Sequence, residues 1–381
     1  MRISQLYVYP IKSLRPTRIT ESTLTSHGLP YDRRFMLLKV EAGKGDASPG
    51  LRNMQIAHFP EMALFQTDID AEAGHVVVTY TPPASDKTRQ SKNGFQQIKI
   101  PLDPDVSALA RLEIDLHKSP TTGYDMGPPY NSWFTRCFGY PVILAHLGPH
   151  SREVLGPFAP GKQKYIQSGS SRPLWPLIGI CLAHGAYWVH KIMHDGIPAT
   201  ILLVQTIVMA ILGLGYYRFV YHQDHDRITF ADCAPYLVIS ETSVSNVSSR
   251  LPDGEEMDLT KFRPNIVVSG ADTAFEEDFW SILAIGTART RLLLTANCLR
   301  CVSLNVDFST GKMGMGRMGN VLKSLMGDRR VDSGVKYSPV FGRYSFLDGR
   351  CAEGRIQVGD EVVVEEKASE RTSFSWPGIT S

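Results

Sequence analysis

One thiol in this chain stands in a setting that chemistry can use. Cys301 closes the segment Thr295-Ala296-Asn297-Cys298-Leu299-Arg300-Cys301, just past the apolar run Leu292-Leu293-Leu294. A thiolate at neutral pH needs a neighbouring positive charge or a metal, and Arg300 supplies the charge. Such a sulfur is a ligand for a soft metal; the plain alternative is a buried structural cysteine, the commoner fate of a free thiol. Cys298 completes a CxxC, but zinc needs four ligands and the sequence offers no second CxxC or CxxH. A redox pair would sit at a helix N-terminus after a strand, and Leu299-Arg300 is an unusual interior for one. Cys298 is therefore read as packing. His184, His190 and His194 also invite a metal, yet no carboxylate or further ligand completes a set around them, and interfacial polar residues are the better account.

The elements that must position Cys301 are mostly strands. At 381 residues the chain is long for one core, so two domains are expected. Forty basic against 38 acidic residues leave a net charge of +2, which argues against a nucleic-acid binder working by bulk charge. The six cysteines are scattered without regular spacing, which predicts a reducing compartment. Met1-Arg2-Ile3-Ser4-Gln5-Leu6 reads as a strand with no targeting pattern before it. Residues 1–160 read as mostly β, with strands at Phe35 to Val40 and His75 to Tyr80. Trp133, Phe134 and Cys137 fall at helical spacing before a stop at Gly139. Residues 228–365 read as a second β-rich domain. In it, Tyr236 to Ser240 is a strand feeding a short helix, and a second helix carries Val321, Leu322 and Leu325 with Gly327 just past its end. Ile356 to Val362 reads as strand, Gly-Asp turn, strand. Residues 366–381 are rich in Ser, Thr, Lys and Glu and are expected to be disordered.

Residues 161–227 follow neither pattern. Gly196 to Tyr217 is a run of 22 uncharged, mostly apolar residues, long enough for a membrane-spanning helix, and Leu174 to Val189 is a second run of 16. If the flanking segments build one site, both must lie on the same side of any membrane. The insert is then an even number of spans, a re-entrant hairpin or a surface-lying element, with Arg172 and Arg218 on the common side. A buried helical pair and a translated intron are the other two readings.

Seven strings carry a family resemblance. They are Val8-Tyr9-Pro10-Ile11-Lys12-Ser13, Gly28-Leu29-Pro30-Tyr31-Asp32-Arg33-Arg34-Phe35-Met36, Phe230-Ala231-Asp232-Cys233-Ala234-Pro235-Tyr236, Lys261-Phe262-Arg263-Pro264-Asn265-Ile266, Arg300-Cys301, Ser338-Pro339-Val340-Phe341-Gly342 and Gly354-Arg355-Ile356-Gln357-Val358-Gly359-Asp360. In that order they resemble MOSC proteins of the amidoxime-reducing type, over nearly the whole chain apart from the insert and the tail. The resemblance implies an α+β, mainly β fold: two β-barrel-like domains, a MOSC N-terminal domain and a MOSC domain, here separated by a helical hydrophobic insert where the family has a short linker. Relatives of this type in animals begin with a membrane anchor, which is not seen ahead of Met1.

The resemblance also implies a molybdenum–pterin cofactor. Cys301 would be the protein's ligand to the metal and the catalytic residue. Lys12, Ser13, Arg34 or its neighbour Arg33, and Arg263 would hold the pterin phosphate, which carries about two negative charges near pH 7; the bland reading of each is a solvated surface charge. Pro10 turns the chain just before Lys12, and Phe262 and Pro264 constrain Arg263, whose fork can bind phosphate bidentately. Asn265 would meet the pterin edge or serve as a turn residue. Asp232 and Ser240 would line the pocket or make strand-end and helix-cap hydrogen bonds.

The activity so implied is reduction of small N-hydroxylated compounds, amidoximes and hydroxylamines, with molybdenum taking oxygen from the N–O bond. No GxGxxG follows a strand, so electrons would come from outside, from NADH through a flavin reductase and a b-type cytochrome. MOSC domains also resemble the C-terminal module of cofactor sulfurases, so a cofactor or sulfur carrier without reductase activity is the rival. A persulfide carrier needs an exposed thiol, whereas a metal ligand should be shielded. The expected location is intracellular: the cytosolic face of a membrane, such as the mitochondrial outer membrane, or the cytoplasm.

Overall fold

The computed structural model describes residues 1–43, 50–83, 97–162, 184, 187, 194, 226–252 and 254–380. Among these the chain is mainly β. Eight strands form one sheet in the order Thr17–Ile19, Arg2–Val8, Ile266–Ser269, Tyr236–Ser240, Val340–Leu347, Thr290–Leu299, Trp280–Ile285, Val362–Lys367. The sheet curls until its last strand nearly meets its second. Val362 N–H donates to the Met1 carbonyl at 2.9 Å, and Ile3 N–H to that of Asp360 at 2.9 Å. Strand Ile266–Ser269 is antiparallel to Arg2–Val8, with Leu6 opposite Ile266, and parallel to Tyr236–Ser240. Inward-facing Leu6, Val8, Val238, Ile266, Leu283 and Leu294 fill the interior.

The second barrel-like unit is split between a five-stranded sheet, with Phe35–Glu41 and Val142–His146 at its centre, and a three-stranded sheet built on Phe65–Asp70 and His75–Tyr80. Helix Pro128–Phe138 closes it with Trp133, Phe134 and Phe138 inward, and Gly139 ends that helix in the left-handed region at φ 84°. Phe65 stacks on Phe138 with ring centroids 4.6 Å apart. The mainly β, two-barrel expectation is borne out.

Residues 1–159 and 227–381 pack as one compact unit, in which the first strand completes the sheet of the second half. Several expectations are corrected. The tail is ordered, not disordered: Phe374 and Trp376 are buried, and Asp332 accepts the Phe374 N–H at 3.0 Å. Two aromatics outweigh a polar average, since their burial offsets the entropy of ordering the chain around them. Gly327 lies inside helix Val321–Asp328 rather than beyond its end. The strands either side of the Gly359-Asp360 turn form, but Gly354–Gln357 pairs with Glu21–Leu24 and Val362–Lys367 with Trp280–Ile285, so they are no hairpin.

The apolar runs at 174–189 and 196–217 lie outside the described residues, apart from His184 and Tyr187, which are helical, as is His194. Among the described residues no helix is long and apolar enough to cross a membrane, so the transmembrane expectation gains no support.

Candidate functional site

Cys301 sits where the ten-residue strand Thr290–Leu299 ends and the 3-10 turn Val302–Asn305 begins. Its side chain is exposed, with Sγ 3.1 Å from the Ser303 hydroxyl. Cys233, Cys298 and Cys351 are free as well. Cys298 is buried, as its packing role requires.

Arg300 is a brace. Its Nε donates to the Phe341 carbonyl at 2.8 Å and its Nη1 to that of Phe262 at 2.7 Å. The rings of Phe262 and Phe341 stack at 3.8 Å beside it. The guanidinium thus joins the Cys301 strand to the turn that carries Arg263.

Cys301 opens onto a cavity of about 90 Å³ that Arg33, Asp232, Lys261, Arg263, Asn265 and Arg300 help to line. A shallower groove of about 550 Å³ runs over Leu38, Arg52 and Asp115 elsewhere, but no cysteine lines it. Arg33 and Arg263 both adopt left-handed backbone, at φ 52° and 56°. Both guanidinium groups lie over the ring of Tyr9, at 4.7 and 4.4 Å from its centroid. Arg33 is neutralised locally. It pairs with Asp32, whose other oxygen accepts the Tyr9 N–H at 2.8 Å. Burial works against the Arg33 charge, but Asp32 outweighs it and raises the pKa.

Arg263 is not so compensated. Nη1 donates to the Leu14 carbonyl at 3.0 Å, while Nη2 is buried with no hydrogen-bond partner. Burial, then the neighbouring Arg33, pull its pKa down to about 10. A buried guanidinium N–H without an acceptor costs free energy until an anion arrives. The donor set at Arg263 therefore fits a phosphate-bearing group.

Lys12 belongs to the floor. Its ammonium donates to the Phe230 carbonyl at 2.9 Å and pairs with Asp232. Burial lowers the Lys12 pKa, with Asp232 opposing. Asp232 is surrounded by protein, although half of its side chain remains open to the cavity. Burial alone would raise its pKa; Lys12 and His117, whose Nε2 lies 3.2 Å away, hold it well below the usual carboxylate range.

The sequence-derived residues divide accordingly. Arg33, Asp232, Arg263, Asn265, Arg300 and Cys301 line the cavity, and Lys12 reaches it through Asp232. Ser13, Arg34 and Ser240 do not line it. Arg34 donates instead to the Gly148 carbonyl, and Ser240 is buried at the head of helix Glu241–Ser248 with no partner for its hydroxyl. Asn265 is a structural tie: its Oδ1 accepts from Leu237 N–H at 3.2 Å, and its Nδ2 donates to the Tyr7 carbonyl at 3.2 Å.

Four contributors were not singled out in the sequence. Tyr9 and Tyr344 look like ordinary strand aromatics, and Lys261 like a surface charge. Arg152 is fully buried and donates to the carbonyls of Thr229, Leu116 and Asp232, so it holds the floor loop. A lone arginine after a serine gives no signal of that.

No group of three or more His, Cys, Asp or Glu able to hold a metal occurs among the described residues. A metal at Cys301 would have to bring its other ligands with it.

The order of strings along the sequence is also the order of known domains. Residues 1–141 match the MOSC N-terminal beta barrel domain and residues 225–363 match the MOSC domain. The chain belongs to the MOSC family. Mitochondrial amidoxime-reducing component 1 of Homo sapiens is 26% identical over 94% of this chain and 82% of its own length. The Mus musculus counterpart is 24% identical over 94% of this chain and 81% of its own. Mitochondrial amidoxime reducing component 2 of Rattus norvegicus is 38% identical over 37% of this chain and 40% of its own. In this MOSC protein the two matched stretches are separated by residues 142–224, which contain the hydrophobic insert.

Proposed function

We propose that this MOSC protein reduces N-hydroxylated compounds at a molybdenum–pterin cofactor held in the cleft below Cys301. The observation that carries the reading is the pairing of an exposed thiol with a buried, unpartnered guanidinium N–H in one cavity. Cys301 would ligate the metal through its sulfur. Arg263, with Arg33 beside it and Lys12 acting through Asp232, would hold the phosphate; at about 90 Å³ the enclosed space suits the phosphate end of the cofactor. When bound, the cofactor supplies a metal that passes electrons to the substrate and accepts its oxygen.

The chain's own part is positioning. Arg300 fixes the direction from which Cys301 presents its sulfur. Asp232, kept ionised by Lys12 and His117, sets the charge of the floor. The names of the relatives as amidoxime-reducing components support the reduction itself; the electrons would come from a flavin reductase and a b-type cytochrome.

The test is molybdenum and pterin content of the purified protein, with Cys301→Ala alongside. The reading expects near-stoichiometric cofactor in the natural protein, a lost or altered metal signal in the variant, and amidoxime turnover with added donors. A folded protein that takes up neither metal nor pterin, made in a host that supplies both, overturns it. The exposure of Cys301 favours a second reading, a carrier of cofactor or sulfur. Alkylation of Cys301 in the loaded protein separates the two: a metal ligand is protected, a persulfide carrier is not.

A further inference from the structure

Four of the nine large apolar side chains exposed among the described residues border Cys301. They are Val302, Met313, Met315 and Tyr337, with Met315 90% and Tyr337 78% exposed. All lie in segments bonded to the backbone around the thiol. Asn305 ends the short turn that Cys301 opens; its carbonyl accepts the Gly314 N–H at 2.7 Å and its Oδ1 the Leu322 N–H at 3.0 Å. On the other side, Arg300 N–H donates to the Pro339 carbonyl at 2.8 Å, two residues beyond Tyr337. The methionine loop is fixed: Gly319 N–H donates to the Met315 carbonyl at 3.1 Å and Asn320 Nδ2 to that of Gly316 at 2.6 Å. Single exposed apolar residues are ordinary, but a group of them beside a site marks a contact surface. Methionine is the adaptable side chain that such surfaces favour.

The same stretch is cationic. Arg317, Lys323, Arg330 and Lys336 are exposed, and none has an ion pair among the described residues. Lys312 differs from them, because it stands opposite Asp307 across a two-stranded ribbon. The one exposed carboxylate of residues 301–340, Asp328, is held by Arg250 at 2.7 and 2.8 Å. The whole chain carries only +2, so this excess of positive charge is local. Charge of one sign around an opening steers an oppositely charged partner to it. Apolar contacts set among charged side chains have the anatomy of a protein–protein interface. The sequence has no GxGxxG after a strand, so a reductase working at this cleft takes its electrons from another protein. That protein has to come to the thiol side.

We propose that the face beside Cys301 docks an electron-carrier protein whose redox centre is ringed by acidic residues. Met315 and Tyr337 make the apolar contact, and Arg317, Lys323, Arg330 and Lys336 steer the approach. Each encounter passes one electron; two electrons with two protons convert the N–OH group to N–H and water. This rests on the cleft being the site of N–O reduction, so the first arm of the test involves no turnover. Metal-free protein is mixed with the soluble haem domain of a b-type cytochrome of net negative charge, and iodoacetamide modification of Cys301 is read by mass spectrometry. A saturating haem domain should slow that modification about tenfold. At the same concentration the double variant Lys323→Glu with Lys336→Glu, and separately Met315→Asp, should lose the protection while their rates without the haem domain stay natural. Salt at about 0.5 M should remove it from the natural protein as well. No protection at saturation, or protection that survives both variants and salt, overturns the proposal.

The second arm uses loaded protein and benzamidoxime. With the haem domain as donor, the double variant should lose about tenfold in kcat/KM for the donor, the scale of electrostatic steering. With reduced methyl viologen, a small cation, it should turn over at the natural rate. Equal loss with both donors would place these residues in the cleft's own machinery and overturn the proposal. Vesicles containing phosphatidylserine that protect Cys301 where the haem domain does not would assign the face to a membrane surface, and overturn it too. Turnover with neither donor by the natural protein would sink the reductase reading and leave the alkylation arm to decide docking.

Discussion

Replacing Trp376 by alanine should cost this protein about 4 kcal/mol of stability. The indole is fully buried and sits against Phe158, 6.2 Å between centroids, within the cluster that also holds Phe374 and Phe346. An aromatic side chain of that size hides roughly 150–250 Å², worth about 4–6 kcal/mol at about 25 cal/mol/Å². Alanine recovers little of it, and loss of a core tryptophan falls at about 3–5 kcal/mol. The indole N–H also donates to the His117 carbonyl at 2.8 Å, about 1 kcal/mol on its own. Trp376→Phe keeps most of the packing and removes that bond, so it should cost about 1–2 kcal/mol. Urea unfolding followed by far-ultraviolet circular dichroism gives both values from midpoints and slopes. A Trp376→Ala midpoint within about 0.5 kcal/mol of the natural protein would refute the argument, since surface changes fall in that range. The tail would then be an appendage.

Three other substitutions test separate parts of the framework. Glu277 is fully buried, and burial pushes its carboxyl up to about 7, with the Ser243 hydroxyl at 2.7 Å only partly opposing. A raised carboxyl pKa means the folded state holds a proton that the unfolded state releases, so stability falls as pH rises from about 4.3 to about 7. Glu277→Gln should remove that slope, gaining about 3 kcal/mol relative to the natural protein at pH 8 and nothing at pH 4, read from unfolding at both. Asp278 is buried and held bidentately by Arg329 at 2.7 and 2.8 Å, with Arg371 adding one bond at 2.8 Å. Arg329→Met should cost about 3 kcal/mol by leaving that carboxylate short of partners, and adding Asp278→Asn should restore part of the loss. Gly342 has φ 79°, and a Cβ there would lie 2.7 Å from Ile239 Cγ2 and 2.9 Å from the Val238 carbonyl. Gly342→Ala should cost about 2 kcal/mol or more and, by shifting Phe341, speed alkylation of Cys301 relative to its natural rate.

What the sequence disclosed was local. Strands with a clear apolar run, such as His75–Tyr80 and Tyr236–Ser240, and the Gly139 helix stop were legible because a few neighbouring residues determine them. Cys301, Arg263 and Asp232 were legible because the strings that carry them have recognisable order. The choice between Arg33 and Arg34 was not, since it turns on the left-handed backbone at Arg33, which sends adjacent guanidinium groups to different carbonyls. Ser240 was placed in the pocket by its neighbours in sequence, yet a strand end can face either side of its sheet. The tail was misread because composition averages over Phe374 and Trp376, and two anchors suffice to order a short segment.

The antiparallel match of Leu6 with Ile266 has a consequence for how the molecule is made. The first strand can pair at once with Thr17–Ile19 on one edge, but its other edge has no partner until about 260 residues more have been synthesised, roughly 13–50 s at about 5–20 residues per second. Through that interval its apolar face and unpaired N–H groups are open to other chains, and the intervening segment includes the most apolar stretch of the sequence. The cavity takes Arg263, Arg300 and Cys301 from the last third of the chain, so it forms late. Nascent chains therefore depend on protection of the amino-terminal strand, and circular permutants that begin at residue 227 would shorten that wait.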